Sequence, residues 1–373
     1  MLSINSKIIN IMIAKLKLKI KELFHEQANF YSRYKDGYND LKKGVLNGKP
    51  ILKTEKDDIL NFWKPYLIDY RTKKSFDIRW FNIYKKTNIY NYPLKYYIPD
   101  SYYYCIVDNF FSNGEKAKIL DDKNLYDLYF HDVLQPTTIC RKENGVYLDK
   151  NYNVISENHA ISLCKANGKI IIKPSVDACA GSGIVKWDSS SSNESLRQIL
   201  NKGEFLIIQD VVKQHEVLNK FNSTCVNTLR MVTLLLDGKI YLCTSVIIMG
   251  GKDAITNHLH SGGLVCGIKS SGQLMDTAFD SKLNKYRKHP NGVVFSECFI
   301  PNYNKCVDLV KKLAPRFIHV SKLISWDLTI NDKGDPLLIE TNLYWGGSVQ
   351  IAGGPVFGNM TPEVLDYIMK HYK

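Results

Sequence analysis

The chain has 373 residues, 45% of them hydrophobic, with 50 Lys+Arg against 37 Asp+Glu and a formal net charge of +13. That length and apolar content exclude a disordered chain and leave room for roughly two or three lobes around a sizeable core. The basic balance favours anionic partners, but charges of both signs are interspersed, which speaks against nucleic acid, a ligand that calls for a concentrated basic stripe.

In chain order, residues 4–24, INSKIINIMIAKLKLKIKELF, read as an amphipathic basic helix. Lys15, Lys17, Lys19 and Lys21 interrupt the apolar run and no small-residue cleavage site follows, so neither a signal peptide nor a membrane span of about 18 apolar residues is predicted. Such a helix docks on the body of the protein, or alternatively on a membrane surface or a partner. Residues 1–48 as a whole read as helical, ending near Gly44 and Gly48. Residues 49–120, rich in aromatics and lysine, read as a small α/β lobe. A helix is predicted over 121–132, with acidic residues in its first turn. TTICRKENGVYLD then predicts a hairpin around Asn144-Gly145.

A helix is expected over 156–166, closed by Gly168, then strand 169–174, loop 175–183, strand 184–188, helix 193–201 and strand 204–212. From 226 the pattern turns strand-rich, with a hairpin at Asp237-Gly238. A helix over 301–320 is kinked at Pro315. SWDLTINDKGDPLLIETN closes the series as a hairpin near Lys333-Gly334. There are no repeats and no long linker, so the lobes pack as one unit.

The stretch IIIKPSVDACAGSGIVKWD, residues 170–188, brings one lysine, Lys173, on a strand next to a small-residue loop containing Gly181, Ser182 and Gly183. Such a loop offers backbone N–H groups to a phosphate. Neither the G-x-x-x-x-G-K-[ST] loop, the G-x-G-x-x-G turn nor kinase motifs occur, so a nucleotide site here is of another kind. Asp327 lies on one strand of the last hairpin and Glu340 and Asn342 on one face of the next, an oxygen set that suits Mg²⁺ shared with phosphates. Their apolar neighbours Trp326, Leu328, Leu338 and Ile339 make buried carboxylates that need a cation. The nine cysteines show no C-x-x-C pair, which points to reduced thiols in a cytoplasmic protein. Cys179 reads as a small loop residue rather than a nucleophile. His258 and His260 read as part of a loop, 257–263, in which Gly262 and Gly263 allow a substrate to approach, rather than as a metal pair. His289 reads as structural.

The order Lys173, small loop, Gln209-Asp210, then D…E-x-N resembles the ATP-grasp superfamily, with 340 − 327 = 13 residues between the acid and the Glu and 216 − 209 = 7 from hinge to ribose acid. YIPD (97–100), DDK (121–123), NTLRMVT (227–233), HLHSGG (258–263), KHP (288–290) and SWD…IETN are similar to the sugar-transfer-associated, TupA-like ATP-grasp group. The resemblance implies an α+β ATP-grasp fold, two α/β lobes clasping ATP, with a helical N-terminal extension (1–48), a small N-terminal lobe (49–120), a central lobe (121–212) and a C-terminal lobe (213–373). It further implies that Lys123 and Lys173 contact the ATP phosphates under the loop of Gly181, Ser182 and Gly183. Gln209, Asp210 and Val212 would hold adenine and Glu216 the ribose, while Asp327, Glu340 and Asn342 hold Mg²⁺. Arg230 would stabilise the transferring phosphate, with His258, Gly262 and Gly263 on the substrate side. The activity implied is a carboxylate–amine ligase with an acylphosphate intermediate, acting in bacterial cell-surface polysaccharide or capsule biosynthesis. Its partners would be a glycan or small molecule bearing a carboxylate, plus an amine co-substrate, and no nucleic acid. The location implied is cytoplasmic, with a peripheral membrane or glycosyltransferase contact through 4–24 as an option. A phosphotransferase acting on a sugar hydroxyl, and a non-catalytic nucleotide-binding scaffold for glycosyltransferases, stand as alternatives.

Overall fold

The computed structural model describes residues 27–42, 47–112, 114, 116–176 and 183–372. The basic helix predicted over 4–24, Gly44, and Cys179, Gly181 and Ser182 of the glycine loop lie outside the described residues. Among the described residues no helix is long and apolar enough to cross a membrane.

Two antiparallel sheets organise the chain. The first contains β1 (Thr138–Glu143), β2 (Val146–Asp149), β3 (Val154–Ile155), β4 (Lys169–Pro174), β5 (Val185–Asp188) and β6 (Leu206–Asp210), in the order β3-β2-β1-β6-β4-β5. Asn144 and Gly145 both take positive φ, 49° and 82°, as a two-residue hairpin turn requires. Helices Glu157–Asn167 and Asn193–Leu200 pack on this sheet, each started by a serine whose hydroxyl accepts a backbone N–H: Ser156 from His159 at 3.2 Å and Ser192 from Ser195 at 3.1 Å. Side chains alternate along a strand. Ile170 and Ile172 of β4 therefore join Ala160, Ile161 and Leu196 in the core, while Ile171 and Lys173 face the other way, into a cavity.

The second sheet contains β7 (Thr228–Leu236), β8 (Lys239–Met249), β9 (Leu264–Ile268), β10 (Leu274–Phe279), β11 (Lys285–Tyr286), β12 (Leu323–Ile330) and β13 (Pro336–Asn342), in the order β11-β10-β9-β8-β7-β12-β13. The β7–β8 turn places Asp237 and Gly238 at φ 46° and 75°. One core joins Met231, Ile247 and Trp326 to helix Tyr303–Leu313, which tightens at Pro315 into a 3₁₀ turn, Ala314–Phe317. The other core joins Val232, Leu234 and Val246 to N-terminal helices and to helix Thr361–His371.

That second packing corrects the expectation of an α/β lobe over 49–120. The described residues there form helices Lys53–Trp63, Tyr70–Ser75, Trp80–Thr87 and the helical stretch 100–111, with no strand among them. Trp63, Phe81, Tyr84 and Tyr102 share one buried cluster with β7 and β8. Aromatics suit strand and helix faces alike, and here spacings such as Trp80/Tyr84 line up along helices. The helix predicted over 121–132 is also shorter, a 3₁₀ turn Lys123–Leu125 followed by Tyr126–Tyr129, because Asp122 caps Asn124 N at 2.9 Å and starts it late.

Candidate active site

A cavity of about 920 Å³ lies between the two sheets. β4 contributes Ile171 and Lys173 to it, and β6 contributes Gln209, followed by Asp210 to Val212. Across the gap stand Arg230 of β7, Asp327 of β12, and Ile339, Glu340 and Asn342 of β13. Sheet register makes Arg230, Asp327 and Glu340 a cross-strand row, with Asp327 paired to both others. A bulge between Asp327 and Leu328 inserts one extra residue on β13, which brings Ile339 as well as Glu340 to the cavity wall. Lys186 of β5 donates to the Thr224 carbonyl and so ties the first sheet to the loop that leads into β7 at the cavity.

The charges in the row are matched with protein partners. Arg230 binds Asp327 bidentately, Nε to Oδ1 at 2.8 Å and Nη2 to Oδ2 at 2.7 Å. Burial works against the Arg230 charge, but Asp327 and then Glu340 more than restore it, so the guanidinium titrates above its ordinary value. Burial likewise pushes the Asp327 carboxyl up, and Arg230 pulls against that rise. Lys123 Nζ lies 3.4 Å from Glu340 Oε2, and Asn342 Nδ2 is 3.5 Å from Glu340 Oε1. Burial acts to raise Glu340, but Lys123, Lys173 and Arg230 bring it below the usual carboxylate range.

Lys173 differs from its neighbours. It makes no hydrogen bond or ion pair among the described residues. Burial, and then Lys123, lower its ammonium to about 8, with Glu340 opposing. A half-buried ammonium without a partner is a costly arrangement that an anionic ligand relieves. At the hinge, Gln209 is 6% exposed; its Nε2 donates to Pro136 O at 3.2 Å and its Oε1 is buried without a donor. With Ile171, Ile184 and Ile339 nearby in the wall, the hinge borders an apolar slot for a flat ring.

Two further groups of predicted residues sit elsewhere. Glu216 is exposed, at the start of helix Glu216–Asn219, and is not in the cavity wall; Asn219 and Lys213 are. Residues 211–213 beyond β6 form neither helix nor strand, and Gln214 bridges Asn331 before the helix begins at Glu216. Gly262 and Gly263 are not in the wall either. A Cβ on Gly263 would stand 2.5 Å from Asn257 O, 2.8 Å from His258 O and 2.9 Å from Met249 O, so this glycine serves close packing of the turn on β8. Gly183 has φ 74°, and a Cβ there would meet Pro174 Cγ at 2.8 Å. His258 lines the cavity, and so do Asn257, His260 and Ser348, of which Asn257 and Ser348 are not among the predicted residues. His289 is 1% exposed with Nε2 2.9 Å from Gly250 O, a structural role.

The donor set suits magnesium through Glu340, Asn342 and the lone pairs that Arg230 leaves on the Asp327 oxygens. No cluster of three His, Cys, Asp or Glu side chains suited to a metal occurs among the described residues. Two carboxylates and an amide on adjacent strands are the partial set that Mg²⁺ takes when phosphates and water complete its shell.

A family model described as sugar-transfer associated ATP-grasp matches residues 108–364. No curated protein matches the chain. Similar solved structures include D-alanyl-alanine synthetase A from Vibrio cholerae, at 13% identity over 70% of this chain and 66% of that one, TM-score 0.43. An L-amino acid ligase from Bacillus licheniformis has 12% identity over 67% and 48%, TM-score 0.38. A biotin carboxylase from Campylobacter jejuni has 9% identity over 69% and 48%, TM-score 0.42. This chain thus spans about two thirds of the first and about half of the other two.

Proposed function

The chain belongs to the sugar-transfer-associated ATP-grasp family, and from that premise we propose that it is an ATP- and magnesium-dependent ligase joining a carboxylate to an amine, with one partner on a cell-surface glycan or its precursor. The observation that carries the reading is Lys173, a half-buried ammonium without a partner among the described residues, beside Lys123 and Arg230 in a cavity large enough for a nucleotide and a second substrate. The family's association with sugar transfer supports the glycan.

In this reading Ile171, Ile184 and Ile339 keep water from the base, with Gln209 and the backbone of Asp210 and Val212 alongside. Lys123 and Lys173 hold the phosphates. Asp327, Glu340 and Asn342 would hold magnesium, which would supply charge neutralisation of phosphate oxygens. The substrate carboxylate displaces ADP and takes the terminal phosphoryl group, and Arg230 offsets the charge that develops there. The amine then attacks the acyl carbon, a C–N bond forms, and phosphate leaves with the C–O electron pair. Positioning and fixed charge do the work, and no protein nucleophile is required.

Calorimetric titration with Mg-ATP, wild type beside Asp327→Asn/Glu340→Gln, tests the site. Magnesium-dependent binding that the double variant loses is the expected result; a folded wild type that does not bind refutes the reading. Product analysis tests the chemistry, since release of ADP and free phosphate with an amide supports the ligase, whereas a stable phosphorylated product supports a phosphotransferase.

A further inference from the structure

An amine is an ammonium ion near neutral pH and must lose a proton before or as it attacks. The cavity's carboxylates are poorly placed to take it. Asp327 is tied to Arg230 and Glu340 lies by Lys123, while Asp210 and Asp332 are on the hinge side, Asp332 N donating to Lys213 O. The turn that follows β8 offers another acceptor.

His258 and His260 both line the cavity, with ring centroids 5.2 Å apart. The backbone at His258 is held firmly. Its carbonyl accepts from Ser261 N at 2.9 Å and from Gly263 N at 3.1 Å, and the neighbouring Asn257 Nδ2 donates to Thr228 Oγ1 at 2.8 Å. Among the described residues, neither ring nitrogen of His258 has a hydrogen-bond partner. This contrasts with His289, whose ring is spent on Gly250. A ring with free nitrogens on a fixed backbone, at the end of the cavity shared with Arg230, is placed for proton transfer rather than for packing.

We propose that His258 is the general base of this site, taking the proton from the attacking amine. The proposal rests on the ligase reading above. The ammonium gives one proton to an imidazole nitrogen, the freed nitrogen lone pair forms the C–N bond, the acyl C–O bond breaks with its electron pair going to the phosphate, and the departing phosphate takes the second N–H proton as hydrogen phosphate. His258 then returns its proton to water. The charged groups that act on the His258 ring are His260 on the same turn and Arg230, which carries Asp327 beside it; Glu340 and Tyr344 line the same cavity. Burial, then His260 and Arg230, lower the His258 imidazolium below the ordinary histidine range, which keeps the ring neutral and able to accept.

Diethyl pyrocarbonate labelling of the whole protein, read residue by residue by peptide mass spectrometry across pH, tests this without knowledge of the substrate. The reagent attacks neutral, accessible imidazole. The expected result is His258 labelling with a pH midpoint below those of the exposed His159 and His319, slowed several-fold by Mg-ADP, while buried His289 stays unlabelled. A midpoint at or above the exposed references overturns the proposal, as does labelling that Mg-ADP fails to slow although calorimetry shows it bound. Absence of Mg-ADP binding to folded protein would instead refute the ligase reading, and the pH midpoint would still judge His258. His258→Gln that keeps Mg-ADP affinity, with labelling at His260 retained, separates loss of the base from collapse of the turn.

Discussion

Arg230→Met removes the cation that serves both oxygens of Asp327. Asp327 is 3% exposed, so it must then bury a charge or take a proton. Protonating a carboxyl of ordinary value near 3.9 at pH 7 costs about 1.36 × 3.1 ≈ 4 kcal/mol, within the roughly 3–5 kcal/mol expected on breaking a buried pair. The Arg230 side chain keeps 17% exposure, so water reaches the site and about 4 kcal/mol is an upper bound. The sign with pH follows from proton counting. In the variant, the folded state binds a proton that the unfolded state has released, so stability falls as pH rises, by about 1.4 kcal/mol per unit between the two titrations. The deficit against wild type should therefore shrink by roughly 2–3 kcal/mol between pH 7 and pH 5. Urea denaturation of both proteins at the two pH values reads this directly, and Arg230→Met/Asp327→Asn should recover much of the loss at pH 7. A single variant within about 0.5 kcal/mol of wild type, or a deficit that does not change with pH, would refute the view that this pair is a buried, mutually dependent one.

Mg-ATP affinity should be level below pH 8 and weaken above it, by up to about tenfold per unit, because the ammonium that titrates at about 8 in the free protein is Lys173; Lys173→Arg should bind evenly across the same range, and calorimetry from pH 7 to 9.5 distinguishes them. Gly263→Ala pushes a methyl group against three carbonyl oxygens and should destabilise the turn by roughly 1–3 kcal/mol, read as faster hydrogen exchange of the Ser261 and Gly263 amides; unchanged exchange would mean that the turn yields easily. Asn227 is fully buried and donates to Gln214 Oε1, Leu218 O and Asn222 O while accepting from Gly250 N. Asn227→Ala orphans several of these, so a loss of at least about 2 kcal/mol in urea denaturation is expected, and a smaller one would show that water replaces the amide.

Much of the site was legible because it depends on local rules. Asn144-Gly145 and Asp237-Gly238 signal hairpins by the positive φ that both positions take in the structure. The spacing of Asp327 and Glu340 about a turn at Lys333-Gly334 matches their observed pairing. Lys173 could be placed on a strand from its apolar neighbours, and the alternation that buries Ile170 and Ile172 could also have found Ile171 in the wall. The bulge that turns Ile339 toward the cavity leaves no mark in the pattern, since it depends on how two strands meet. Arg230 was singled out, but its grip on Asp327, 97 residues away, is a tertiary fact. Glu216 falls outside the cavity wall because a count along the chain assumes where a helix starts. The N-terminal aromatics failed because they satisfy two periodicities, and their partner surface lies more than a hundred residues downstream.

That distant partner surface has a consequence for how the chain comes to be made. Trp63, Phe81 and Tyr102 are buried against β7, β8 and the last helix, and Tyr66 donates to Asp366, 300 residues later, at 3.0 Å. At about 5–20 residues per second, the ribosome takes roughly 15–60 s to supply Asp366 after Tyr66 has been added. Until β8 ends at Met249, 249 − 66 = 183 residues after Tyr66 and roughly 9–37 s at that rate, a segment dense in tyrosine and tryptophan has no sheet to cover it. Its nascent form is a natural client for a holding chaperone, and a fragment ending before β7 should not fold by itself.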